Sequence, residues 1–88
     1  MKLIETWKKR RTLRNLKIEH RAICDDMAYY RYALKRAIRS EDDKLGSALR
    51  EAITNSIAEC NVVRAKIAII NDWLKNAKTN NAVMTTET

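Results

Sequence analysis

The chain of 88 residues has no proline, no phenylalanine, one glycine (Gly46), one histidine (His20) and two cysteines (Cys24 and Cys60). Each scarcity excludes something. Strands and tight turns need Pro and Gly as punctuation and helices reject both, so their near absence points to an all-α chain. One glycine cannot build a Gly-rich phosphate loop. One histidine leaves a hydrolytic triad a single candidate base. Two cysteines, 36 positions apart, make neither a disulfide framework nor a zinc knuckle, and free thiols fit a reducing, cytoplasmic setting. No run reaches the roughly 18 apolar residues of a membrane-spanning helix. The opening MKLIETWKKRR places its charges after a short apolar stretch, the reverse of a secretory signal.

What the chain does contain is two heptad seams. The first reads Leu13, Leu16, His20, Ile23, Met27, Tyr30, Leu34, Ala37, at alternating spacings of three and four. The second reads Leu49, Ile53, Ser56, Cys60, Val63, Ile67, Ile70, Leu74, Ala77, again at spacings of four and three. This period returns an apolar group to one face of a helix at every turn or two. It predicts one helix over about 3–39 and a second over about 42–78, forming a single domain over 1–78. Between them stands Ser40-Glu41-Asp42-Asp43, preceded by Lys35, Arg36 and Arg39. Cations suit a helix C-terminus and acids a helix N-terminus, so the break belongs near 39–42, with Ser40 as the expected N-cap of the second helix. Two long helices and a short turn make an antiparallel hairpin. Leu34 is then expected against Leu49, Ile23 against Cys60 or Val63, and His20 near Val63 or Ile67. Residues 79–88 lose the period and read as a disordered tail.

Backwards from Leu13 the seam lands on Lys9, Thr6 and Lys2, all polar. The apolar residues there, Leu3, Ile4 and Trp7, lie on another side. A second set of apolar residues also falls outside the seams: Ile18, Ala22, Tyr29 and Tyr32 on the first helix, Val62, Ala65, Ile69 and Trp73 on the second. An isolated two-helix hairpin has little core for its surface. These stripes, with Tyr29, Tyr32, Val62, Ile69 and Trp73 as interface residues, are therefore expected to close a homodimeric four-helix bundle, to be covered by a short third helix from residues 1–10, or to receive another protein.

Charge is distributed unevenly. Residues 1–40 carry 12 basic and 4 acidic groups; residues 41–78 carry 6 of each. Lys8, Lys9, Arg10, Arg11, Arg14, Lys17 and Arg21 put seven cations into fourteen residues, with Glu19 the one acid among them. Residues 10, 14, 17 and 21 form a ridge along one side of the helix, off the apolar seam. Such a row suffices to grip phosphates or an acidic protein, and Trp7 just before it can stack on an unpaired base. Leu3, Ile4 and Trp7 beside the cations also make a short basic amphipathic segment, too brief for a firm membrane anchor. A solvated, solubilising face is the competing reading of the same cations.

No catalytic constellation emerges. His20 sits on the apolar seam, where a polar residue usually sets register. Asp25-Asp26 and Asp42-Asp43 are adjacent pairs whose members point about 100° apart on a helix, suiting a solvated face and a cap better than an acid/base couple. His20 and Cys24 are spaced i, i+4 and can present two ligands on one helix side, with Cys60 as a third. The ordinary role of a free cysteine, a small buried hydrophobe, is the expectation here. The sequence therefore predicts no enzymatic activity, no metal, no cofactor and no small-molecule substrate. It predicts a small regulatory binding protein that docks to a protein complex, to nucleic acid, or to both. In topology the pattern resembles plasmid copy-number proteins, whose hairpins dimerise into four-helix bundles and hold RNA along one face. That resemblance implies an RNA- or DNA-binding dimer acting on phosphates. Size and composition also resemble small basic helical proteins of phages and mobile elements that inhibit a host complex.

Overall fold

The structure is a computed structural model that describes residues 3–77 with their side chains. Two helices account for the fold: α1 over Lys2–Arg39 and α2 over Asp43–Glu87. They pack on each other as a hairpin, about 16 × 14 Å in cross-section, the thickness of two helices side by side. The tail expected over 79–88 lies outside the described residues.

The two seams form the interface. Leu16, Ile23, Cys60, Val63 and Ile70 are buried together, with Leu13, Met27, Ile67 and Leu74 packed against them. Every other member of the seams, from His20 to Ala77, is buried or half-buried as well. Ser56 is the one buried polar seam residue, at 9% exposure. Both rows keep to the heptad, so each side chain meets the facing helix on successive turns and the pair stays in contact along its length.

The turn is built differently from the expectation. The backbone N–H of Asp42 donates to the carbonyl of Ala37 at 2.9 Å, and that of Glu41 donates to Ile38 at 3.1 Å. These are the two bonds of a Schellman C-cap. Glu41 occupies its left-handed position, at φ 56°, where glycine is the usual choice. Ser40 is not the N-cap: its hydroxyl donates back to the carbonyl of Arg36 at 2.9 Å. The cap is Asp42, whose Oδ1 accepts from the N–H of Leu45 at 3.0 Å, while its carbonyl accepts from Gly46 at 2.9 Å. One residue thus closes α1 with its N–H and opens α2 with its side chain, which makes a three-residue connection possible.

This tight turn sets the register. Gly46 is buried, and a Cβ placed there would stand 3.9 Å from Leu34 Cδ1, so the α2 seam begins at Gly46, one step before Leu49. His20 lies against Cys60 and Arg64, the latter next to Val63 in the chain. At the other end α1 runs unbroken through residues 2–39, so residues 1–10 do not form a separate helix folded over the hairpin. Thr6 continues the seam as a half-buried polar position, and Lys9 lays its ammonium over the ring of Trp73, 5.6 Å from the centroid.

Candidate binding face

The basic ridge is carried by the first half of α1. Arg10, Arg14, Lys17 and Arg21 are all exposed, and helical spacing keeps them on one side, roughly a third of a turn from the seam. The row spans twelve residues, about 16 Å from end to end at the helical rise. Lys8 and Arg11 are exposed too but belong to other sides of the helix. The guanidinium of Arg11 sits over the Trp7 ring, 5.7 Å from its centroid. Lys8 lines a groove with Glu5, Thr12 and Trp73. The seven cations thus divide into a linear ridge of four, a pair held near aromatic rings (Lys9 and Arg11), and Lys8 in the groove.

Trp7 is 61% exposed, but Arg11 covers one ring face. Only the other face is open to stacking. Leu3 and Ile4 beside it are exposed at 86% and 61%, an apolar end that the hairpin itself does not use.

The five apolar interface candidates do not form one patch. Tyr29 and Tyr32 are 68% and 61% exposed and lie about half a turn from the α1 seam, on the side facing away from α2. The Tyr29 ring meets that of its neighbour Tyr30 edge-on, with centroids 6.1 Å apart. Val62 and Ile69, exposed at 54% and 68%, flank the α2 seam. Val62 lines a groove with Glu19, Ala58, Glu59 and Lys66. Trp73 is half-buried beneath Lys9, so part of its surface already serves the hairpin.

The acids take the bland roles expected of them. Asp25 and Asp26 are exposed, and Asp42 is the helix cap. His20 is more engaged. Its Nε2 accepts from Nε of Arg64 at 3.3 Å, and the Cys24 Sγ stands 3.9 Å from both ring nitrogens. The ligand atoms of His20, Cys24 and Cys60 all lie within 4.8 Å of one another. Arg64 was not singled out by its sequence; a cation just off the α2 seam carries no signal of its own until the facing residue is known. The Lys9–Trp73 contact escaped for the same reason, since Lys9 reads as a break in the apolar seam.

Comparison with protein-family models, with curated proteins and with solved structures finds no match for this chain. Among the described residues no helix is long and apolar enough to cross a membrane.

Proposed function

We propose that this chain is a non-enzymatic regulatory binding protein of the cytoplasm, which assembles through its apolar flanks and grips a polyanion along the α1 ridge. The observation that carries this reading is the ridge itself. Arg10, Arg14, Lys17 and Arg21 stand in one exposed row that the hairpin leaves outside its packing. A row of fixed cations on a stiff helix meets a phosphate backbone at several points without reading bases. The Arg11 cover on Trp7 supports contact through charge over contact through stacking. The non-enzymatic reading is supported by the sequence, which offers one histidine, no Gly-rich phosphate loop and no paired catalytic acids.

Nucleic acid is the first partner to test, by gel shift across a salt series. Four phosphate contacts should weaken binding on the order of a hundredfold between 50 and 200 mM salt. Replacing Arg10, Arg14, Lys17 and Arg21 together by Glu should abolish the shift while leaving helicity unchanged. Salt-insensitive binding would refute the ridge as a phosphate grip, and retention by an acidic protein instead would reassign the same ridge to a protein partner.

Self-association into a four-helix bundle is supported by the packing. Among the described residues no large side chain is fully buried, and Leu13, Met27, Tyr30, Leu34, Ile67 and Leu74 keep part of their surface in water. A second hairpin laid on Val62 and Ile69 would cover exposed apolar surface that a monomer leaves wet. Val62→Asp with Ile69→Asp should convert a dimeric solution mass to a monomeric one; a wild-type chain that is already monomeric rejects the bundle.

A further inference from the structure

All of the chain's histidine and cysteine, one His and two Cys, converge at one layer of the hairpin although they stand at positions 20, 24 and 60. We propose that His20, Cys24 and Cys60 form a binding site for a thiophilic divalent cation of the zinc class, closed by three protein ligands with a fourth position open to water.

The geometry is close to what such an ion needs. Tetrahedral ligation with Zn–S near 2.3 Å and Zn–N near 2.0 Å puts neighbouring ligand atoms about 3.5–3.8 Å apart. The Cys24 sulfur is already 3.9 Å from both nitrogens of His20, and the whole set lies within 4.8 Å. Rotation about the side-chain torsions of Cys24 and Cys60 covers the remaining distance. The sulfur lies at equal distance from the two nitrogens, so a turn of the imidazole is needed to aim one lone pair at a metal shared with Cys24.

Burial grades the site from a closed base to an open mouth. Cys60 is 5% exposed, whereas His20 and Cys24 are half-buried. Arg64 at the mouth is exposed, and its guanidinium donates to His20 Nε2. A cation bound at that nitrogen would take the place of Arg64, whose long side chain is free to turn into solvent.

A purely apolar role explains Cys60 but not its neighbours. A seam position filled by His20 loses apolar burial, and a second thiol at Cys24 adds little packing. Soft thiolates and one imidazole on facing helices are the donor set that selects zinc over magnesium or calcium. Two ligands come from α1 and one from α2, so the ion would tie the helices together at mid-length and its binding energy would add to hairpin stability.

The test is a cobalt(II) titration of the full, reduced chain, followed by displacement with zinc. One equivalent per chain should produce thiolate-to-cobalt charge-transfer absorption together with the intense ligand-field bands of a tetrahedral site. Zinc should bleach those bands and raise the melting temperature, and a chelator should reverse the rise. Cys24→Ser, Cys60→Ser and His20→Gln should each weaken binding by more than about tenfold, the loss typical of a missing outer-shell partner alone. Circular dichroism verifies that each variant still folds. If Cys60→Ser does not fold, Cys60→Ala, which keeps the apolar contact, decides the matter. Wild type without the cobalt bands, unchanged affinity in a folded Cys60 variant, or one metal per two chains would each overturn the site.

Discussion

The two ends of the hairpin are built on opposite plans. At the turn, Ala37 is 2% exposed and Gly46 is buried, so two of the smallest side chains let the helices approach closely. Around them a Schellman cap closes α1 and the Asp42 carboxylate caps α2. At the open end Leu3, Ile4 and Trp7 are mostly exposed, and a lysine there lies over a half-buried tryptophan of the other helix. One end is held by sterics and hydrogen bonds, which tolerate little change. The other carries a cation–π contact of modest worth, together with Lys8 and Arg11. The ridge from Arg10 to Arg21 runs behind the core residues Leu13, Leu16 and Ile23, so its cations stand on a packed part of the hairpin, and easy local opening is confined to the first turns around residues 3–7.

The comparison can be broken most forcefully at the turn. Ala37→Leu forces a large side chain between closely packed helices and should cost about 1–3 kcal/mol by overpacking. Urea unfolding measures it, and a variant as stable as wild type would mean that the closed end is looser than its burial indicates. Gly46→Ala acts in the other direction. Its new Cβ would meet Leu34 at an ordinary 3.9 Å, and alanine is favoured over glycine inside a helix by up to about 1 kcal/mol. A rise in the unfolding midpoint is expected; a fall would show that the helices cannot yield even a methyl group there. The smallest effect belongs to the open end. Lys9→Ala removes the cation from Trp73 and should cost about 0.5–1 kcal/mol, the range for an exposed cation–π pair. Native-state hydrogen exchange should show that loss confined to the first turns of α1, with protection near the turn unchanged.

Much of this architecture was legible because a heptad is a direct record of a helix–helix seam. From Leu13 to Ala37 and from Leu49 to Ala77, the positions named by spacing are the positions that lose exposure. The site features were legible in part. The row of Arg10, Arg14, Lys17 and Arg21 follows from helical period alone and stands exposed, whereas the period put the apolar stripes on two helices without relating one to the other. Tyr29 and Tyr32 turn away from α2, while Val62 borders a groove shared with Glu19 of α1. Period fixes the angle of a residue about its own helix but not the side on which the second helix arrives.

The amino-acid pattern by itself therefore determined two helices, the face each turns inward, the place of the break and the one-sided charge of α1. These depend on 3.6-residue periodicity and on terminal charge preferences, both local. Tertiary structure decided the register. Whether Ser40 or Asp42 caps α2, whether Gly46 or Leu49 begins its seam, and which residue His20 faces all hang on a three-residue turn. A shift of one turn there moves every cross-helix pair. The meeting of His20, Cys24 and Cys60 is the consequence of greatest chemical weight: spacing could put two of the three on one side of α1, but only the packed hairpin could bring the third to them.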